Sequence, residues 1–407
     1  MEILYDRCCG IDVHKKLIVA CFKCGKKQEI RTTGTTSDEI RDLTQWLLDG
    51  KCQMVAMEST GSYWKPLYNI FEILGLDVIV ANARDIKNVP GRKTDVGDAE
   101  WIADLLKHGL IRASYIPSRE QRELREITRY RKSLTEERCR EVNRLQKILE
   151  GANIKLDSVV KDITGKSARK LLQRIIDNDI PDSDEVSRLI HGRMRSKLDQ
   201  IVASIDGITT PLQRKLLAQI IDHIDDLNRR IGELDKLVQA YMTEYEAAIE
   251  AIDEIPGIAR RSAEVILAEI GIDMSRFPSA AHLCSWAGIC PGNYQSAGRQ
   301  KHGKTTKGNK ALKTILTQCA KSAKTVKSSY FSAPYQRIAA RRGKNRATLA
   351  VAHSMLIAIY HILSKKVAFR DLGADYYDSF NRDRKINSYL KRLKALGWEP
   401  DPIPSSA

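Results

Sequence analysis

The chain has 407 residues, 43% hydrophobic and 29% charged, with a net charge of +16. At roughly 100–200 residues per domain, this length excludes one ordinary core and asks for two or three. The opening MEILYDRCCG carries an acid and has no long apolar run, and no stretch reads as the ~18–20 apolar residues of a bilayer span. The expectation is therefore a soluble cytoplasmic protein with no membrane partner. Nine cysteines at irregular spacing read as reduced thiols rather than a disulfide framework. Cys21 and Cys24 form a C-x-x-C, but the second ligand pair that a zinc site needs is missing, which leaves two cysteines on a strand.

In chain order, Arg7 to Val13, Leu17 to Lys23 and Gln28 to Thr33 read as three strands of an antiparallel meander, separated by short polar turns. A helix over Ser37 to Leu48, a strand over Met54 to Glu58, a helix over Tyr63 to Leu74 and a strand over Asp77 to Ala81 follow, which predicts an α/β layer with a parallel portion. A further helix is expected over Asp95 to His108. From Ser118 to about Glu150 the chain favours helix, with an apolar stripe of Leu124, Ile127, Leu134, Val142, Leu145 and Leu149. Ile220, Ile224, Leu227, Ile231, Leu234, Val238, Tyr241 and Tyr245 keep the four-three spacing of a coiled coil, whose partner helix lies in the same chain or in another. Ile255-Pro256-Gly257 breaks the helical pattern and opens a new domain near Asp253. The stretch after about Asp371 regains acids and ends in EPDPIPSSA, which reads as a loosely held tail.

Four acids stand out. Asp12 is central in CCGIDVH, where Ile11 and Val13 point to the opposite face. Glu58 ends the strand VAMEST, and Asp95 and Asp98, three apart in KTDVGDAEW, open a helix on one side. Each alone reads as a cap or a solvated loop residue; Asp95 in particular suits an N-cap. Together they repel one another unless a cation neutralises them, and hard oxygen donors suit Mg²⁺, with Mn²⁺ as a substitute. Two such ions ~3.5–4 Å apart can hold the attacking and leaving oxygens of a phosphodiester. An Asp in the first strand of a meander, a Glu ending a later strand and an Asp pair opening a helix resembles the RuvC-like branch of RNase H-type nucleases, over about residues 5–110.

The charge is concentrated. Between Met274 and Arg370 there is no Asp or Glu, against eighteen Lys or Arg. Solvated faces mix signs, so this stretch points to a phosphate polymer. Within it, SWAGICPGNYQSAGRQKHGKTTKGNK (285–310) is rich in Gly, Ser and Lys and is expected to form a loop and a helix start. Small neighbours around Ser296 let a backbone phosphate approach. A serine hydroxyl becomes a nucleophile when its proton is taken and cations stabilise the phosphorane, and Arg299, Lys301, His302, Lys304, Lys307 and Lys310 are close in sequence. The competing reading of Ser296 is a turn residue. Gly298, Gly303, Lys304 and Thr305 also spell a nucleotide-binding G-x-x-x-x-G-K-T, yet a polar segment precedes it and Gly308 interrupts the helix that should follow. Upstream, IPGIARRSAEVILAEIG resembles a helix-hairpin-helix, in which Arg260 and Arg261 follow a Pro-Gly turn that presents N–H groups to phosphate.

The motifs CCGIDVHK, KTDVGDAE, IPGIARRSAEVILAEIG and WAGICPGNYQSAGRQKHGKTTKGN, in this order, resemble the transposases of insertion sequence family 110, the bridge-RNA-guided recombinases, from about residue 7 to residue 365. The resemblance implies an α/β plus all-α architecture: a RuvC-like domain at 1–115, a helical coiled-coil spacer at 116–250, a mainly helical transposase domain at 251–370 and a tail at 371–407. It implies that Asp12, Glu58, Asp95 and Asp98 hold Mg²⁺, and that Ser296 attacks DNA to form a phosphoserine link. It further implies a dimer of dimers around a structured noncoding RNA that pairs with donor and target DNA, in bacterial cytoplasm at the nucleoid. Residues 154–204 stand as an addition without an assigned role. The alternatives are a metal-dependent junction nuclease in which water attacks, and a nucleic-acid-binding protein with inert carboxylates.

Overall fold

The computed structural model describes residues 3–59, 61–82, 86, 95–291, 294–296, 299–301, 305–327, 329–376 and 382–398, with the backbone alone for 95, 294–296, 299–301, 384 and 385. The chain divides into two compact units, Met1–Pro117 and Ser118–Ala407.

The first unit is built on a sheet of order β3-β2-β1-β4-β5, from β1 (Arg7–Val13), β2 (Ile18–Cys24), β3 (Lys27–Thr33), β4 (Met54–Glu58) and β5 (Val78–Ala81). β1, β2 and β3 pair antiparallel, as a meander of short turns must, while β4 runs parallel to both β1 and β5. The parallel strands are joined through α1 (Ser37–Asp49) and α2 (Trp64–Ile73). A capping box starts α1: the Thr36 side chain accepts from Glu39 N, and the Glu39 carboxylate accepts from Thr36 N at 2.9 Å. Alternation sorts the strand residues between two faces. Cys9, Ile11, Val13, Val55 and Met57 pack with Ile40 and Leu43 of α1 and Leu67 and Phe71 of α2. The other face carries Cys8, Ala56, Val19 and Cys21 and is covered by α3 (Asp95–Lys107) through Ala99, Ile102, Ala103 and Leu106.

The second unit is mostly helical. α4 (Arg119–Gly151) runs antiparallel to α9 (Pro211–Tyr241), with Leu134 against Leu227 and Ile231, so the two long helices pair within the chain. Between them, α5 (Leu156–Val159), α6 (Lys166–Ile176), α7 (Ser183–Leu189) and α8 (Leu198–Ile205) close a separate core with the ends of both. Residues 154–204 thus form packed helices. Then come α10 (Glu246–Asp253), α11 (Arg260–Ile270), α12 (Ala280–Ala287), the ribbon of β6 (Tyr294–Ser296) and β7 (Arg299–Lys301), α13 (Lys310–Ala323), α14 (Ser332–Arg342), α15 (Lys344–Lys365) and α16 (Arg382–Ala395).

α15 corrects the expectation that no apolar stretch nears membrane length: an 18-residue window in it has mean hydropathy 1.6. Its Ala347, Val351, Met355, Leu356, Ile359 and Ile362 are buried, and it packs on α10, α12, α13 and α14, as a core helix does.

Candidate functional site

α3 runs antiparallel to β1. Leu4 N donates to Lys107 O at 2.9 Å, the Cys8 thiol lies 3.7 Å from Ala103 O, and Gly10 lies directly under Ala99 and Ala103. The same march, carried one step further, sets Asp12 level with the first turn of α3, where Asp95 and Asp98 stand. Gly10 permits this approach, because a Cβ there would sit 2.8 Å from Ala103 Cα and nearer still to Ala103 N and Ala99 O. Glu58 ends β4, one residue beyond the Ile11–Met57 pair of the parallel register, so it and Asp12 occupy adjacent strand ends. Both alternate with the α1/α2 side and belong to the α3 side. Asp98, four residues before the buried Ile102, shares that helix face.

Asp12, Glu58 and Asp98 are all half-buried. His14, in the polar turn after β1, places Nε2 2.9 Å from Asp12 Oδ2. Its signal was position: two residues beyond an Asp at a strand end, in the turn whose His14 N donates to Leu17 O. The donors are carboxylate oxygens, which fit a hard divalent cation. Among the described residues no group of three or more His, Cys, Asp or Glu side chains is spaced to hold a metal ion. The Asp95 side chain, the fourth member of the predicted set, lies outside the described residues.

Ser296 is in a strand, not the expected loop or helix start. It is the last residue of β6 and the register partner of Arg299 in β7, with Tyr294 opposite Lys301. Paired residues of an antiparallel ribbon have Cα atoms ~4.5–5.5 Å apart, so a cationic residue type faces the serine position across the strands. The side chains of Ser296, Arg299 and Lys301, and all of Lys304, lie outside the described residues; Lys307 and Lys310 are exposed.

The base of this ribbon is held firmly. Pro291 and Thr305 form a β-bridge, and Lys313 Nζ donates to Thr305 Oγ1 at 2.5 Å. Gly288 and Gly308 meet backbone to backbone, so that a Cβ on either would strike the other. Of the G-x-x-x-x-G-K-T segment, Gly298, Gly303 and Lys304 lie outside the described residues; Thr305 is in a bridge and the following helix starts only at Lys310, whereas a nucleotide loop leads directly into its helix.

Asn309 ties this base to the helices. Its Oδ1 caps α13 by accepting from Leu312 N, and its Nδ2 donates to Glu269 Oε2 at 2.6 Å. Glu269, with no solvent exposure, also accepts from Arg129 Nε at 2.7 Å and Nη2 at 2.9 Å, and pairs with Arg125. Sequence reading missed this buried carboxylate, because an acid on an apolar helix gives no sign of partners 140 residues away.

The Pro-Gly turn joins α10 to α11, with Gly257 at φ 89 pressed against Cys319 O and Ala323 N of α13. The two arginines expected to meet phosphate are engaged within the chain. Arg260 forms a bidentate pair with Glu246 at 2.5 and 2.8 Å, which pulls the Glu246 carboxyl below its usual range, and Arg261 pairs with Asp235. An αα-hairpin stapled by ion pairs is what this geometry provides.

Two family models match the chain. The DEDD transposase model of IS110, described as a transposase, covers residues 9–154, and the model described as transposase IS116/IS110/IS902 family covers residues 249–336. The first span contains all four acids and the second contains Ser296 and the α10–α11 turn. The chain is 24% identical to a "Probable family 20 transposase" of Pseudomonas aeruginosa, over 89% of this chain and 94% of that protein. It is 22% identical to the transposase for insertion sequence element IS1111A of Coxiella burnetii, over 79% and 80%. It is also 28% identical to an uncharacterized 43.6 kDa protein of insertion element IS110 from Streptomyces coelicolor, over 38% of this chain and 34% of that one.

Proposed function

Because this chain belongs to the IS110 family of transposases, which cut and rejoin DNA, we propose that it recombines donor and target DNA through a phosphoserine at Ser296. In this reading Asp12, Glu58, Asp95 and Asp98 hold a divalent cation, Mg²⁺ or Mn²⁺, in a RuvC-like domain. The observation that supports it most is the convergence of the Asp12 and Glu58 strand ends with the acid-bearing first turn of α3.

When bound, the cation supplies positive charge at the scissile phosphate. Ser296 Oγ attacks phosphorus, forming a P–Oγ bond as the bond to one deoxyribose oxygen breaks. The serine proton passes to a base, and the leaving oxygen departs as a hydroxyl. Arg299, the register partner of Ser296, is suited to the charge that grows on the phosphoryl oxygens. A strand hydroxyl then attacks the phosphoserine and releases Ser296. Each step exchanges one phosphodiester for another, so rejoining needs no outside energy source. Sequence choice belongs to a structured noncoding RNA, and the protein works as a dimer of dimers in bacterial cytoplasm; the acid-free stretch from Ser275 to Arg370 suits reading of backbone rather than bases.

The test incubates the protein with its flanking noncoding RNA, end-labelled donor and target DNA, and Mg²⁺. A denaturant-resistant protein–DNA adduct is expected, lost in Ser296→Ala and in Asp12→Ala. Metal-dependent cleavage with no adduct would overturn the serine step in favour of a nuclease that uses water.

A further inference from the structure

The joint between α14 and α15 gathers four cations at one turn. Arg341 and Arg342 end α14, Gly343 turns the chain at φ 86, and Lys344 and Arg346 begin α15. All four are exposed, and among the described residues none pairs with a carboxylate, although Arg341 Nε donates to Arg337 O at 3.4 Å. An open cleft of about 690 Å³ is lined by Arg342, Gly343, Lys344, Asn345 and Arg346.

The placement of Lys344 and Arg346 is unfavourable for folding. The N-terminal turn of a helix carries partial positive charge and prefers acids, yet this turn has none, and no side chain caps it. Several exposed arginines on other helices are neutralised, Arg229 and Arg230 sharing Asp226 and Arg260 taking Glu246, whereas the four cations of this joint are gathered at one turn. Four cations without a carboxylate partner among the described residues, two of them against a helix dipole, fit an anion supplied from outside.

We infer that the α14–α15 joint is a docking surface for the phosphate backbone of duplex DNA, separate from the Ser296 ribbon. The inference rests on the family's action on DNA. Duplex backbone is favoured over unpaired bases because residues 336–346 contain no aromatic ring on which a base could stack, and the nearby Tyr335 ring is already covered by Lys324 Nζ at 5.0 Å. The surface sets position and register, and carries no sequence information.

Binding of a short labelled duplex of arbitrary sequence is measured across about 50 to 200 mM salt for the full-length protein and for R341Q/R342Q/K344Q/R346Q. Each lost phosphate contact makes the slope of log K against log salt shallower by about 0.9, so the variant's slope falls by about 3 to 4. Over that range it loses about a hundredfold less affinity than the parent. Its melting temperature stays close to the parent's, since two charges opposed to the α15 dipole and two that favour the α14 dipole leave together. Should the fourfold variant fail to fold, K344Q/R346Q carries the test, with a slope change of about 2. An unchanged slope overturns the inference, and so does a change seen with an RNA hairpin but not with duplex DNA. Ser296→Ala keeps the parental slope; if the parent forms no adduct while the slopes still differ, the serine reading falls and this surface stands.

Discussion

Gly10→Ala adds one methyl group in the centre of β1, where the backbone conformation itself raises no objection. The new Cβ would stand 2.8 Å from Ala103 Cα and closer to Ala103 N and Ala99 O, against an ordinary contact of 3.4–4 Å. These are helix backbone atoms, so relief requires α3 to retreat from the sheet by about 1 Å. Overpacking of this kind costs about 1–3 kcal/mol. For a unit of this size each kcal/mol is worth roughly 4–8 °C, so the first unit melts about 5–20 °C earlier. The retreat also carries Asp98 away from Asp12 and Glu58, and a displacement of about 1 Å at a reacting centre costs about 100-fold in rate. Differential scanning calorimetry and adduct formation under Mg²⁺ measure the two effects. An unchanged melt would refute the close approach of α3, while a lowered melt with full cleavage rate would separate that approach from the chemistry.

Glu269→Ala removes the buried partner of Arg125, Arg129 and Asn309, and urea unfolding should show a loss of about 3 kcal/mol. Burial pushes the thiols of Cys8 and Cys21 up to about 11 and those of Cys52 and Cys284 to about 12, whereas Cys139 is exposed, so mass spectrometry after brief alkylation should find Cys139 modified first. Hydrogen bonds from Thr36, Thr164, Arg229, Arg260 and Ser275 hold Glu39, Asp162, Asp226, Glu246 and Asp273 below their unfolded values of 4.5 and 3.8. Their contribution is complete above those values and is lost as pH falls through the lower folded ones, so melting temperature should hold from about pH 8 to 5 and drop below about pH 4.

Where a short apolar run was bounded by polar turns, the elements could be read almost to the residue. β1 and β4 begin and end where expected because each alternates between two packed layers. The β6–β7 ribbon could not be read, since Tyr294, Gln295, Arg299 and Gln300 give no two-residue apolar period and the pairing rests on its clamped base. α9 starts at Pro211, nine residues before the four-three pattern, although Thr210, Pro211 and Gln213 spelled a capping box with proline at the first turn. Asp12 and Glu58 were legible as strand-end acids. The fate of Arg260 and Arg261 was not, because their partners Glu246 and Asp235 lie on other helices, and local basicity says nothing of distant acids.

The segment between the two family-matched spans makes a prediction of its own. The core closed by α5 to α8 draws every buried member from Leu145 to Ile224. The entry and exit of these helices touch: Ile208 N donates to Ala152 O at 3.1 Å and Lys155 N to Ser204 O at 2.8 Å. Below them the α4–α9 hairpin is pinned by Leu134 against Leu227 and Ile231, and by Arg138 donating to Asn228. A fragment of residues 134–231 therefore contains a whole core and both of its walls, at a length where one core can sustain a fold without disulfide or metal. Expressed alone, it should be helical by circular dichroism and unfold in urea in one cooperative step with a slope of about 1–3 kcal/mol per molar. A gradual transition would mean that this core depends on residues beyond the hairpin. A cooperative one would make it a self-standing module, held at the end of two helices whose other halves, through Arg131 with Glu264 and Arg129 with Glu269, anchor the helices next to the Ser296 ribbon.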